Sequence, residues 1–183
     1  MKIGVAIPHK GEIKVKTMLC IIQNIVAMGV DAQVIVTSGS FIHWNREFLY
    51  EAAEAQGCTH IVYVDTDMVF PAGAIKQLVD HGKDIIGIVA YKKAFPKFAC
   101  VRIKEGVEMR PEEIPHELFQ CEEIGTGLMA VNLERMKTIP PPHFEANMPL
   151  GEDLYFCRKA RAAGLEVWCD PTIEVKHIGD FEY

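Results

Sequence analysis

Two aspartates separated by one residue, Asp65 and Asp67, directly follow the apolar run Ile61–Val64. Carboxylates at this spacing can serve a hard divalent cation, one as a direct ligand and the other through water or a substrate hydroxyl. The same pattern is also typical of a turn or of a helix N-cap, here ahead of Pro71. The motif by itself leaves both interpretations open.

A second acidic pair, Glu152 and Asp153, follows Gly151 and precedes a helical pattern. The helix macrodipole favours acidic residues at this end, so capping alone explains the pair. A carboxylate at a helix start also suits a general base that deprotonates an acceptor hydroxyl. Either role agrees with the sequence.

His177 and the segment Gly125-Thr126-Gly127 complete the candidate residues. The imidazole of His177 either has a structural role at the end of the last apolar run or joins Asp67 as a ligand to Mn²⁺ or Mg²⁺. Two glycines allow the backbone to approach a bound ligand closely. They are equally consistent with a tight turn before a strand.

The first half of the chain alternates strand and helix patterns. Apolar runs predict strands over 3–7, 33–36, 61–64 and 84–90. Helical spacing predicts a helix that ends at Gly29, a second over 45–56 and a third that begins at Pro71. The first helix contains Val15, Met18, Leu19, Ile22, Ile25 and Val26. This order predicts an α/β fold with a mostly parallel, twisted sheet and helices on both faces, in which ligands bind beyond the carboxyl ends of the strands.

The second half predicts shorter elements. Strands are expected over 98–103, 119–123, 128–131, 166–169 and 173–177, and a helix from Glu152. Four prolines between Ile139 and Leu150 exclude regular structure there. Because no linker or repeat divides the chain, we expect one domain over residues 1–183.

The composition is that of a globular protein, with 49% hydrophobic and 24% charged residues. A net charge of −6 argues against broad, salt-driven nucleic-acid binding. No apolar run approaches the roughly 18 residues of a membrane span, and the start lacks a signal-peptide core, so we expect a cytoplasmic protein. The six cysteines form no Cys-x-x-Cys pair, which favours reduced, mostly buried thiols over a structural zinc site.

The order of these motifs resembles that of the GT-A nucleotide-sugar glycosyltransferases, especially the inverting family-2 type. The resemblance extends from Ile3 to His177, and its most specific part is Gly-Glu-Asp-Leu-Tyr-Phe-Cys-Arg at 151–158, followed by Ala163-Gly164 and Trp-Cys-Asp-Pro at 168–171. It implies a GT-A fold, with a Rossmann-like N-terminal half and a smaller acceptor-side C-terminal half, and a hexosyltransferase-type enzyme. Such an enzyme transfers a sugar from a nucleoside-diphosphate sugar to an acceptor hydroxyl, with inversion and with Mn²⁺ or Mg²⁺.

The resemblance also implies a role for each motif. Asp67 and His177 would ligate the metal, and Asp65 would contact the ribose and reach the metal through water. Asp153 would be the catalytic base, and Glu152 would orient the acceptor or the donor. The other residues implied in donor binding are Pro8, His9, Asn45, Arg46, Thr66, Gly125, Thr126, Gly127 and, beside Lys93, Lys92.

The chain departs from the family pattern in two ways. The acidic residue that often follows the second strand and reads the base is replaced by Thr37-Ser38-Gly39-Ser40, so uridine is the default base and guanosine stays open. Little sequence follows His177, so loops 94–96, 104–118 and 139–150, another subunit of a homo-oligomer, or another protein must form the acceptor pocket. Compact chains of this kind resemble those of bacterial or phage gene clusters, and a surface glycan, a protein and a modified DNA base all stay open as the acceptor.

Three other classes share some of these features. A degenerate transferase that only binds a nucleotide or glycan would keep the same fold. A haloacid-dehalogenase-type phosphatase carries Asp-x-Asp-x-Val, as at 65–69, but there the motif ends the first strand, and here two strands precede it. A nucleotidyltransferase requires a glycine-rich basic loop after the first strand, which Pro8-His9-Lys10-Gly11 matches poorly.

Overall fold

The computed structural model describes residues 1–104, 106–147 and 150–179. The first half of the chain forms β1 (Lys2–His9), α1 (Val15–Met28), β2 (Asp31–Ser38), α2 (Ile42–Ala55), β3 (His60–Val64), β4 (Met68–Val69), α3 (Ala74–Asp80) and β5 (Ile85–Ile88). The second half forms β6 (Val101–Arg102), β7 (Phe119–Cys121), β8 (Glu123–Ile124), β9 (Leu128–Asn132), α4 (Leu133–Met136), α5 (Glu152–Ala162), β10 (Val167–Asp170) and β11 (Lys176–His177).

Seven strands form one sheet in the order β2-β1-β3-β9-β5-β10-β7. β1 is parallel to β2 and β3, and β5 is parallel to β10. β9 is antiparallel between β3 and β5, and β7 is antiparallel to β10. The mainly parallel α/β sheet is therefore confirmed. The position of β9 inside it was not predicted, because strand order along the chain does not determine which strands become neighbours.

The sheet separates two apolar cores. Side chains alternate along β1, so Ala6 faces the core that contains α2 and α5, while Ile3, Val5 and Ile7 face the core that contains α1 and α3. Burial on both faces explains why the strands read as nearly continuous apolar runs. Because β1, β2, β3 and β5 run in the same direction, their carboxyl ends lie along one edge of the sheet.

Some boundaries differ from those that the sequence predicts. α3 begins at Ala74 rather than at Pro71, because Gly73 has a left-handed backbone (φ 87°) that a helix interior does not accept. The last predicted strand contracts to the two residues of β11, and the described residues between α4 and α5 contain no helix or strand, as the prolines indicated. Five of the six cysteines are buried, as expected. Among the described residues, no helix combines the length and apolar character that crossing a membrane requires.

Candidate active site

A short antiparallel pair of strands brings His177, near the end of the chain, next to the Asp-x-Asp motif. The chain leaves β3 at Val64 and forms β4, on which Met68 pairs with His177 of β11. The backbone N–H of Ile178 also donates to the carbonyl oxygen of Asp67 at 2.8 Å. As a result, Nε2 of His177 lies 3.2 Å from Oδ1 of Asp67.

The ring of His177 is held in one orientation. Its Nδ1 lies 3.1 Å from the carbonyl oxygen of Tyr91 and donates to it, which directs Nε2 towards Asp67. In metal-binding histidines one ring nitrogen commonly donates to a backbone carbonyl in this way, which orients the other nitrogen. The geometry therefore presents Nε2 and a carboxylate oxygen to the same small volume.

Asp67 also contacts the ammonium group of Lys93 through Oδ2. Partial burial by itself would raise the pKa of Asp67, but the hydrogen bonds from His177 and Lys93 outweigh it and lower the pKa to about 2. Asp67 is thus a carboxylate at every physiological pH. Its surroundings stabilise negative charge.

A surface cavity of about 470 Å³ borders Asp67. Its lining residues are Glu12, Lys14, Thr66, Asp67, Lys93, Ile178 and Gly179. The backbone N–H of Lys14 donates to the carbonyl oxygen of Thr66 at 2.9 Å, which joins the start of α1 to the Asp-x-Asp loop. The volume lies within the range of small-molecule sites.

Arg46 joins Asp65 to the start of α5. Its side chain is buried on α2, with Nη2 2.8 Å from Oδ1 of Asp65 and Nη1 bonded to Oε1 of Glu152. The hydroxyl of Tyr63 donates to the carbonyl oxygen of Arg46 at 3.3 Å. Asp65 therefore faces Arg46, whereas Asp67, two residues later, faces His177.

The proline-rich segment supports this guanidinium from one side. Phe144 lies with its ring centroid 6.0 Å from Cζ of Arg46, and it stacks on Phe156 of α5. Glu47, the next residue on α2, accepts hydrogen bonds from the backbone N–H groups of His143 and Phe144, and its Oε1 lies 2.8 Å from Nδ1 of His143. Although burial raises the pKa of Glu47, these hydrogen bonds outweigh it and lower the pKa below its ordinary value.

Asp153 occupies a different electrostatic environment in the first turn of α5. Desolvation raises its pKa, the charge of Asp65 adds to this effect, and the charge of Arg46 and the N–H of Leu154 oppose it without reversing it. The N–H of Leu154 donates to Oδ1 of Asp153 at 2.8 Å. A carboxylate with a raised pKa binds a proton more tightly than an ordinary aspartate, as a general base must.

The Gly-Thr-Gly segment lies between the two aspartate sites. A β-carbon at Gly125 would lie 3.6 Å from Oδ2 of Asp153, and one at Gly127 would lie 3.2 Å from Sδ of Met68. The carbonyl oxygen of Gly127 accepts a hydrogen bond from the N–H of Asp65 at 2.9 Å. The absence of a β-carbon at each glycine thus leaves space for the side chains of Asp153 and Met68. Thr126 between the two glycines is buried.

The residues predicted to line the nucleoside lie at the carboxyl ends of β1 and β2. Pro8 is buried, and the side chain of His9 accepts a hydrogen bond from the N–H of Gly11. Asn45 donates to the carbonyl oxygens of Gly39 (3.0 Å) and His9 (3.4 Å), so it links the two strand ends. Lys92 pairs with Glu108, away from Asp67.

The structure therefore forms two groups from the predicted residues. Asp67 and His177 are in direct contact, while Asp65 and Glu152 share Arg46. Within residues 1–104, 106–147 and 150–179, no three His, Cys, Asp or Glu side chains are close enough to hold a metal ion together. Asp65 thus does not join Asp67 and His177 in one ligand cluster.

Several residues at the site were missed by sequence reasoning. Glu12 and Lys14 line the cavity, Tyr91 orients His177 through its carbonyl, and Glu47 fixes the segment that contains Phe144. Glu12 and Lys14 follow the first predicted strand, where site residues are expected in such a fold. A backbone carbonyl such as that of Tyr91 leaves no signal in a sequence.

The chain resembles known proteins in structure rather than in sequence. It matches no family model and none of the curated proteins. The crystal structure of A197 from STIV superposes with a TM-score of 0.72 at 18% identity, covering 98% of this chain and 87% of that one. GalNAc-T7, solved with UDP, GalNAc and Mn²⁺, superposes with a TM-score of 0.64 at 11% identity, covering 97% of this chain and 44% of that one.

The chain has a GT-A-like fold. The implied fold is therefore confirmed across nearly the whole described chain. At these identities the likeness carries the fold alone.

Proposed function

We propose that this chain is a metal-dependent glycosyltransferase that moves a sugar from a nucleoside-diphosphate sugar to an acceptor hydroxyl, with inversion at the anomeric carbon. The observation that carries the proposal is the pairing of Asp67 with His177, 3.2 Å apart at the carboxyl edge of a GT-A-like sheet. UDP is the proposed nucleotide, supported by GalNAc-T7, which has a similar fold and was solved with UDP and Mn²⁺.

The donor set fits a Mn²⁺ or Mg²⁺ ion held by two protein ligands. Asp67 is ionised, and Nε2 of His177 points at it. The ammonium of Lys93 already occupies Oδ2 of Asp67, which indicates that this position attracts a cation. Such ions commonly take one or two protein ligands and complete their shell with substrate phosphates and water. When bound, the ion offsets the negative charge that develops on the leaving diphosphate.

The basic side chains around the cavity would bind the same diphosphate. Lys93 and Lys14 both line the cavity beside Asp67. Asp65 would contact the ribose, and Arg46 fixes its carboxylate by a 2.8 Å hydrogen bond. The family-2 resemblance assigns Pro8 and Asn45, at the ends of β1 and β2, to the nucleoside side of the donor.

Asp153 would act as the base. Its raised pKa favours taking the proton from the acceptor hydroxyl as that oxygen attacks the anomeric carbon. Attack on the face opposite the diphosphate is a single displacement, so it inverts the anomeric centre. Glu152, bonded to Arg46, would keep the start of α5 in register with Asp65.

The acceptor would bind between loops 94–96, 104–118 and 139–150. Glu105, Met148 and Pro149 of these loops lie outside the described residues. A glycan, a protein and a modified DNA base are all compatible acceptors, and the chain would act without broad nucleic-acid binding because its net charge is −6.

A thermal-shift panel of nucleoside diphosphates and nucleotide sugars, with and without Mn²⁺, tests this proposal. A ligand at about 100 times its Kd stabilises the folded state by about 2.7 kcal/mol, so UDP and UDP-sugars should raise the melting temperature only with the metal. A rise in melting temperature with GDP and not with UDP would replace uracil by guanine as the proposed base. If no nucleotide raises the melting temperature, the donor site is refuted, and binding without turnover would make the chain a non-catalytic binding module.

A further inference from the structure

Helix α1 exposes an apolar stripe on the face opposite its buried side. Its buried face includes Ile21 and packs into the core beneath α3. The stripe consists of Val15 (74% exposed), Leu19 (53%), Ile22 (50%) and Val26 (80%). A helix that is apolar on both faces is typical of one that is covered on both sides.

The edge strand of the sheet carries two more exposed apolar residues. Val34 and Val36 of β2 are both exposed, and β2 is the terminal strand of the seven. Ile35 between them is buried in the core on the α2 side, so the two valines point to the α1 side. We call the four helical residues Val15, Leu19, Ile22 and Val26 the α1 face.

The α1 face is a large part of what a stable dimer needs. At roughly 30 Å² per methylene-sized group, its four side chains expose on the order of 300 Å² of apolar surface. A standard interface buries about 800 Å² per partner, of which a little over half is apolar. The α1 face therefore supplies more than half of the apolar part of such an interface.

The stripe is also complementary to itself. Its spacing of four, three and four residues is the same in either direction, and its side chains read Val, Leu, Ile, Val. Two antiparallel copies related by a twofold axis would place Leu19 opposite Ile22 and Val15 opposite Val26, the packing expected of an isologous helix pair.

The charges favour a second copy over a lipid surface. Lys16 is the only charged residue of α1, and antiparallel pairing would separate the two copies of it by about 14 Å along the axis, beyond the screening length at physiological salt. Helices that bind anionic bilayers carry several basic residues on their polar face, and this chain has a net charge of −6. We infer that a second copy of this chain covers the α1 face and forms a twofold dimer through α1, independently of the proposed enzymatic function.

Sedimentation velocity on the full chain over a wide range of concentration tests the dimer. The wild type should sediment as a dimer. Leu19→Glu should raise the dimer dissociation constant by a factor of about 100 or more, because a carboxylate would be buried in the seam. The matched control is Val107→Glu, which changes an equally exposed apolar residue (50%) outside the α1 face and should leave the dimer intact.

A charge-pair experiment tests the antiparallel register. The Leu19→Glu chain and the Ile22→Lys chain should each be monomeric, and their mixture should form a heterodimer because the two substituted positions face each other. A monomeric wild type, a dimer that survives Leu19→Glu, or a dimer lost equally in Val107→Glu would overturn the inference. A mixture that stays monomeric would overturn the antiparallel pairing, and wild-type monomers that bind anionic vesicles would replace the second copy with a membrane.

Discussion

The two sides of the candidate site perturb an aspartate in opposite directions. At Asp67, hydrogen bonds from His177 and Lys93 lower the pKa to about 2. At Asp153, desolvation raises the pKa, and the neighbouring charge of Asp65 adds to that rise. One residue type is thus a permanent anion on one side and, in the proposed function, the proton acceptor on the other, a division of roles that enzymes obtain through environment alone.

The difference originates in which segments surround each carboxylate. Asp67 lies in the loop between β3 and β4, beside an open cavity, where a lysine and a histidine from separate segments approach it. Asp153 lies beside Gly125, and Arg46, whose charge lowers the pKa of Asp153, directs its hydrogen bonds to Asp65 and Glu152 instead. Arg46 therefore acts on Asp153 by its charge alone and not through a hydrogen bond.

Asp67→Asn should have the largest effect. Loss of the anionic ligand should remove Mn²⁺-dependent UDP binding and lower the transfer rate by a factor of about 10⁴, because the charge of the leaving diphosphate is no longer offset. Calorimetry of UDP with and without Mn²⁺, alongside an assay of donor turnover, measures both effects. Asp80→Asn, at an exposed ion pair with Lys76, is the control that should change neither.

Asp153→Asn makes the same chemical change on the other side of the site and should separate binding from chemistry. Nucleotide affinity should remain near that of the wild type, while kcat falls about 10³-fold for want of a base. The amide oxygen of asparagine can still accept the hydrogen bond from Leu154, so the start of α5 should persist. A wild-type turnover number in this variant would mean that another group takes the proton.

Arg46→Met tests the link between the two sides. Removing the guanidinium leaves Asp65 and Glu152 without their shared partner, which should cost about 2–3 kcal/mol of folding free energy and lower kcat/KM about 10- to 100-fold. Urea denaturation and steady-state kinetics measure the two effects. The control is Arg135→Met, which breaks a more exposed pair with Asp84 and should change the folding free energy and kcat/KM little. Equal losses of stability and kcat/KM in the two variants would refute a specific role for Arg46.

Periodicity predicts the elements of this fold better than it predicts their neighbours. β1, α1, β2, α2 and β3 all occur where apolar spacing places them. The spacing does not show that β9 enters the sheet between β3 and β5, because that pairing is long-range and depends on which edges remain free. Nor does it distinguish the two apolar faces of α1, since residues at both sets of helical positions are apolar.

Sequence reasoning proposed the candidate residues but not all of the partners that the structure gives them. Asp67 and His177 were expected to meet, and the contact depends on β4, a two-residue strand too short to leave a pattern. Lys93 rather than Lys92 contacts Asp67, because the path of the loop after β5 decides which lysine faces the cavity. Asp65 was expected to share an ion with Asp67 and His177. The sequence does not show that Asp65 instead pairs with Arg46, a residue 19 positions earlier in the chain.

The opposite pKa shifts also predict opposite, smaller effects of pH on stability. At pH values above 3.8, the ordinary pKa of an aspartate, the lowered pKa of Asp67 contributes at most about 2 kcal/mol to the free energy of unfolding. This contribution disappears as the pH falls towards 2. Asp67→Asn should thus be less stable than the wild type at neutral pH and equal to it near pH 2. The raised pKa of Asp153 means that ionising it costs stability, a cost that vanishes as the pH falls through that pKa.

Asp153→Asn should accordingly be more stable than the wild type at neutral pH, and the difference should close on acidification. Thermal unfolding of both variants and the wild type across the acid range measures these differences without any substrate or metal, so the result is independent of catalysis. If both substitutions shifted stability in the same direction at neutral pH, the two aspartates would share one kind of environment. The assignment of one as anion and the other as base would then lose its physical support, because it depends on the opposite signs of these two shifts.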